Sequence, residues 1–215
     1  MKHSLYYKFI LGYFVFGLLG FLSIATIASE LTYEQLMKEE SETLYDEASL
    51  LSLSYSAVYK GKNLNIASAY PQLEAVATYL RAEIWVVNRN GTIVVDSNHS
   101  FRVGKTIDGF DPTFNGNKPY SIGTYNECFA EDVMTVSAPI TGNYTTYGYV
   151  LIHLPLSQIQ SSKDSYLNIL YTVSCIIFGL SLIILLVFHQ TVYIPLKKIT
   201  EAANQYAAGN LTYKT

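Results

Sequence analysis

Charge is scarce in this sequence. Of its 215 residues only 14% are Asp, Glu, Lys or Arg, while 50% are hydrophobic; an ordinary soluble domain carries about 25% charged residues. A disordered chain needs the opposite balance, so disorder is excluded. Basic residues are not in surplus: 14 Lys and Arg stand against 17 Asp and Glu, a net charge of −3. Nothing here offers the excess of cations that a phosphate backbone demands, which disfavours a nucleic-acid binder. Cysteine is nearly absent, with only Cys128 and Cys175. Recognisable catalytic patterns are missing too. The four histidines (His3, His99, His153, His189) are scattered, without metal-ligand spacing. There is no Gly-rich phosphate loop, and no Ser-His-Asp arrangement can be argued. The chain is expected to hold no catalytic residue and no cofactor of its own.

What is present explains where the charge is missing. Residues 9–28 and 166–188 are runs of 20 and 23 residues without one charge, and roughly 20 apolar residues span the hydrocarbon core as a helix. The first run exceeds the apolar core of about 7–15 residues typical of a cleaved signal peptide. Two membrane spans are expected. Lys2 and Lys8 precede the first, and Lys197 and Lys198 follow the second, which puts both termini in the cytoplasm by the positive-inside rule. Tyr6, Tyr7 and Tyr193 then belong to the inner interface, Tyr33 and Tyr166 to the outer one, where aromatic belts meet lipid headgroups. Gly12, Gly17, Gly20, Cys175 and Gly179 permit close helix contact within the bilayer.

Residues 30–165 would form an outer domain, with nine Lys and Arg against sixteen Asp and Glu, a net charge of −7. Cys128 is its only cysteine, so no internal disulfide can form, which suits a bacterial plasma-membrane protein better than a eukaryotic ectodomain. Leu44, Ala48, Leu51, Tyr55 and Val58 recur at helical spacing. The stripe fits either a long rod continuing from the first span and packed on another helix, or a helix covering the domain's own core. A second helix is expected at about 65–80. The period then becomes extended. Residues 84–87 and 92–95 read as strands joined by Asn88-Arg89-Asn90-Gly91, a hairpin signal. Three more strands are expected at 120–125, 133–139 and 146–153, after a loop at 104–119 rich in Gly, Asp, Asn and Pro. The sum is an α+β domain with a five-stranded antiparallel sheet and a long N-terminal helix.

After the second span, Pro195 suits a helix's first turn, and Leu196, Ile199, Ala203 and Tyr206 form a seam for a parallel homodimer. Gly209 suits a left-handed helix end. Residues 195–211, from Pro195-Leu196 through the Ala-Ala-Gly-Asn-Leu ending with Leu211 as apolar anchor, resemble the first helix and connector of a HAMP domain. Residues 85–97 and 148–159 are similar to the extracytoplasmic PAS-like, or single Cache, sensor of two-component histidine kinases. The resemblance implies 1–8 cytoplasmic, 9–28 and 166–188 as spans, 30–165 as the sensor and 192–215 as a partial HAMP domain. It implies signal relay to a kinase beyond Thr215, which would use ATP and Mg and phosphorylate a response regulator. A chemotaxis receptor shares this layout, and a stand-alone membrane binding module remains a third reading.

For the ligand, residues 84–87 are apolar on both strand faces, so one face can meet the helices and the other a pocket. Trp85, Tyr120, Tyr125, Met134 and Tyr149 are candidate lining residues, with Arg102 as the polar anchor. Glu127, Glu131 and Asp132 are weaker candidates for a divalent or polyamine cation, since oxygen ligands suit hard cations. The ligand is expected to be a small molecule or ion, and the acidic domain favours a cationic one.

Overall fold

A computed structural model describes residues 4–59, 66–98, 102–112, 119–125 and 127–209. Leu211 and the middle of the 104–119 loop lie outside them. The chain divides into two compact units, residues 30–164 and the pair of segments 1–29 and 165–215.

The 30–164 unit contains most of α2 (Ser29–Tyr59), then α3 (Ile66–Leu80), and strands β1 (Glu83–Asn88), β2 (Ile93–Asp96), β3 (Ser121–Gly123), β4 (Val133–Gly142) and β5 (Thr145–Pro155), followed by the first residues of α4 (Leu156–Phe188). The strands make one sheet in the order β2-β1-β5-β4-β3, every pair antiparallel. The first hairpin closes as its sequence suggests. Gly91 takes a left-handed φ of 77°, and the Asn88 side-chain oxygen accepts from the backbone N–H of Asn90 and Thr92, both at 2.9 Å.

The strand boundaries differ from expectation, most clearly at β4 and β3. β4 runs beyond Pro139 to Gly142 because β5 pairs with it that far, while β3 pairs only with residues 133–135. Past that point β4 is an edge on one side, where proline's missing N–H costs no ladder bond. Its turn into β5 uses Asn143 and Tyr144, both left-handed at φ 50° and 58°, the two-residue geometry that matches strand twist. β3 is only three residues long, because the backbone turns out of the sheet at Tyr125, with φ 43°.

The helix does continue from the first apolar run, as one stretch from Ile10 to Ser56, but the α2 stripe itself faces the domain's own core. Leu44, Ala48, Leu51 and Tyr55 pack with Leu73 of α3 and with Ile84, Val86, Val136, Val150 and Ile152 of the sheet. Each such side chain contributes roughly 1.5–3 kcal/mol by leaving water. Burial also pushes the Tyr55 hydroxyl up to about 12. The sheet's other face carries a second cluster of Trp85, Val87, Ile93, Ile107 and Leu151, closed by Phe110, Tyr125, Cys128, Phe129 and Tyr149. Loops rather than helices cover this face, which is why residues 84–87 are buried throughout.

Gly148 is where β5 passes closest to β1. A Cβ there would stand 2.1 Å from the Val87 carbonyl oxygen, and backbone cannot swing aside as a side chain can. Gly148→Ala is expected to cost about 1–3 kcal/mol through overpacking, read as a lowered denaturation midpoint of the full chain.

In the other unit, α1 (Ser4–Ser23) meets a π-helical turn (Ile24–Ala28), and α4 ends at a second π-helical turn (His189–Tyr193) before α5 (Ile194–Ala207). Two helical stretches, Ile10–Ser56 and Leu156–Ala207, are long and apolar enough to cross a membrane. The Tyr13 hydroxyl donates to the Phe178 carbonyl at 2.6 Å and pairs with the Ser181 hydroxyl at 2.7 Å. The Phe178 ring stacks on Tyr13 and fills the space over Gly17, where a Cβ would meet it at 2.2 Å. Gly12, Gly20 and Gly179 face open space. In α5, Pro195 lies in the first turn, and Gly209 closes the end with φ 85°. Leu196, Ile199 and Tyr206 remain exposed, as does Ala203.

Candidate functional site

The indole of Trp85, fully buried at the centre of the loop-covered face, organises the site. Its ring N–H donates to a Glu83 carboxylate oxygen at 2.8 Å. Period-two alternation puts Glu83 and Trp85 on one face of β1. The Phe129 ring stacks on the indole with centroids 5.3 Å apart, and His153 meets it edge-on at 4.3 Å. Arg102 reaches in from the loop after β2. Its guanidinium pairs with the Glu83 carboxylate, donates to the Cys128 carbonyl at 3.0 Å, and lies 5.5 Å from the Trp85 ring centre and 5.2 Å from that of Phe129. Strain in the 124–132 loop, with Glu127 left-handed at φ 60°, accompanies the presentation of that carbonyl.

Register then brings together residues far apart in sequence. Glu83 of β1 and Thr135 of β4 both face His153 of β5 as direct cross-strand partners, so their side chains share one face. His153 is completely buried. Its Nδ1 is 2.8 Å from the Thr135 hydroxyl, while Nε2 has no hydrogen-bond partner. Burial, helped by the Arg102 charge, holds the imidazole down to about 3, so it is neutral at physiological pH. Burial has the opposite effect on acids. It raises Glu83 above the usual carboxylate value despite its bonds to Trp85 and Arg102, and raises the Cys128 thiol and Tyr125 hydroxyl as well.

A cleft of about 500 Å³ opens beside this cluster. Glu74 and Thr78 from the last turns of α3, with Arg81 just after it, form one side. Ser97 and Asn98 after β2, together with Glu131 and the Phe129 ring, form another, and Glu83, His153 and Pro155 belong to its wall. Its volume suits a small metabolite.

Of the sequence candidates, Trp85, Arg102 and Tyr125 are assembled here. Tyr149 is on the same face but packs on Phe110, 5.7 Å away. Met134 and Tyr120 belong to the helix-side core, since Met134 is one residue out of phase with Thr135. Glu131 lines the cleft, but Glu127, Glu131 and Asp132 do not converge: among the described residues no group of three His, Cys, Asp or Glu is placed to hold a metal. Glu83, Phe129, Thr135 and His153 escaped the sequence reading. A polar histidine inside the apolar run of β5 was the available signal.

No protein-family model matches the chain, and no curated protein matches it. Solved structures do resemble it at low identity. The ligand-binding domain of the Campylobacter jejuni chemoreceptor Tlp3, in complex with 4-methylisoleucine, is 16% identical with a TM-score of 0.42, over 62% of this chain and 62% of that one. The Escherichia coli DcuS sensor domain is 20% identical at 0.43, over 59% of this chain and 98% of that one. The sensor domain of the Vibrio cholerae histidine kinase DctB is 18% identical at 0.36, over 72% and 59%.

Proposed function

We propose that this chain is the sensory and membrane-relay part of a bacterial two-component sensor histidine kinase, with its 30–165 domain outside the plasma membrane and both termini in the cytoplasm. A small ligand enters the cleft beside His153, and the change passes along α4 and the second span to α5. One observation supports this assignment most directly. His153 and Pro155, both in the cleft wall, lie at the end of β5, and α4 begins at the next residue, Leu156. A ligand against that wall therefore acts on the first residues of the helix that becomes the second span. It shifts the receptor only by its difference in affinity between two states.

The exposed apolar face of α5 supports a homodimer seam of Leu196, Ile199 and Tyr206, and the resemblance of 195–211 to HAMP supports a kinase beyond Thr215, using ATP and Mg and a response regulator. In the natural receptor, Ile199→Asp is expected to abolish the output while leaving membrane insertion intact, measured by a reporter gene and by membrane fractionation. A variant that still signals normally overturns the relay assignment. The codons after Thr215 separate kinase from chemoreceptor: a helix with His followed by an acid and then a nucleotide-binding domain, or a long run of heptads.

A further inference from the structure

We propose that Gln158 is a positioning residue that joins the α3 side of the cleft to the first turn of α4, so that a change in cleft width moves the helix; this rests on reading the cleft as the sensor's input site.

The two sides of the cleft come from segments far apart in sequence. Ala77, Thr78 and Arg81 belong to one, and Phe129, Ala130 and Glu131 to the other. Each side is hydrogen-bonded to the start of α4. From the loop side, the Asp132 carbonyl accepts from the Leu156 backbone N–H at 3.0 Å, satisfying a donor that a helix start leaves without an internal partner. From the α3 side, the Arg81 carbonyl accepts from the Gln158 side-chain amide. With one bond to each wall, the first turn of α4 cannot keep both when the cleft widens or narrows unless it moves.

The backbone of Arg81 ties its carbonyl to α3. That helix stops at Leu80. The Arg81 N–H then donates to the Thr78 carbonyl at 3.3 Å, and the Ala82 N–H to the Ala77 carbonyl at 3.0 Å, the paired bonds that close a helix around a left-handed residue. Arg81 takes that place at φ 53°, where glycine is usual and a side chain is strained. A second cavity, of about 290 Å³, lies beside the bond, with Leu80, Arg81, Gln158 and Ser162 in its lining. Close-packed side chains transmit displacement directly; across this open space the Gln158 amide is the link. Ile159, buried in the helix-side core, gives the turn a fixed point. Gln158 itself is only half-buried, so its amide can be removed without opening the core.

The test is a double-mutant cycle on the full chain in lipid nanodiscs, read by amide hydrogen exchange across residues 156–162. Thr78→Trp, at an exposed lining position, takes the place of a ligand by filling the cleft from the α3 side. Ala130→Trp, also exposed, fills it from the other side and keeps the cycle readable should Thr78→Trp not fold. With Gln158 present, each is expected to speed exchange in the first turns of α4 about 5-fold, the worth of one hydrogen bond. Gln158→Met keeps the length of the side chain but not its donor; exchange there is expected to start fast and to gain nothing from filling the cleft. Gln158→Lys restores a donor and is expected to restore the response. A structural role alone would lower the melting temperature without removing this dependence. A response of full size in Gln158→Met overturns the proposal, and so does the absence of any response to both cleft-filling variants. A response that needs Gln158, while the natural receptor's output is unchanged by either cleft-filling variant, keeps the coupling and overturns the sensor reading.

Discussion

Trp85→Ala is expected to destabilise the 30–164 domain by about 3–5 kcal/mol, the range for emptying a buried aromatic site. Domains are typically stable by only about 5–15 kcal/mol, so about a fifth or more of the stability is at stake. The loss has three sources. The indole fills the middle of the loop-side cluster, its ring N–H satisfies the buried Glu83 carboxylate, and its face supports both Phe129 and Arg102. Trp85→Phe separates them, keeping most of the ring contact while deleting the N–H, and is expected to cost about 1–3 kcal/mol. Trp85 is the only tryptophan, so its fluorescence disappears with it and unfolding is followed by circular dichroism. A Trp85→Ala protein that melts with the wild type would mean that the loop-covered face contributes little to the fold.

Acid should destabilise the domain before general carboxylate protonation begins. His153 is held down to about 3, mainly by burial and then by the Arg102 charge, against about 6.5 in an unfolded chain. The unfolded state therefore binds a proton that the native state refuses. Stability falls as pH drops below 6.5, by about 1.4 kcal/mol per unit, or roughly 3 kcal/mol by pH 4. Glu83 works in the opposite sense. Its raised value means that the native state protonates more readily, which returns part of the loss where carboxylates titrate. Denaturation at pH 7, 5.5 and 4 measures the slope, and His153→Gln should flatten it. A wild type equally stable at pH 4 and 7 would contradict the sealed environment of this imidazole.

Composition alone was enough to find the two apolar helices, because a span is a matter of length and hydropathy. The first hairpin was also legible, since Asn-Gly favours the left-handed backbone that the turn needs. The second was not: Asn143-Tyr144 puts a tyrosine at φ 58°, a place where few side chains are at ease. The α2 stripe stayed ambiguous in sequence because the spacing of a core face and of an interhelical seam is the same; the apolar sheet face opposite decides between them. In the site, Trp85 and Arg102 were accessible to reasoning because a strand buried on both faces needs a cover. Glu83, Thr135 and His153 were not, because only strand register sets them opposite one another. The same parity moved Met134 to the helix side, as a one-residue offset reverses the face of every side chain in a strand.

The π-helical turn at His189–Tyr193 has a geometric consequence for the helices on either side of it. A π turn holds one residue more than an α turn, and each residue advances an ideal α-helix by about 100°. The apolar stripe of α4 and the Leu196–Ile199–Tyr206 stripe of α5 therefore cannot be projected onto one continuous wheel; a phase step separates them. If that bulge migrated along the helix, every residue it passed would rotate about the axis while the ends stayed fixed. A five-residue defect between α4 and α5 is thus a place where a small axial push can be converted into a change of azimuth.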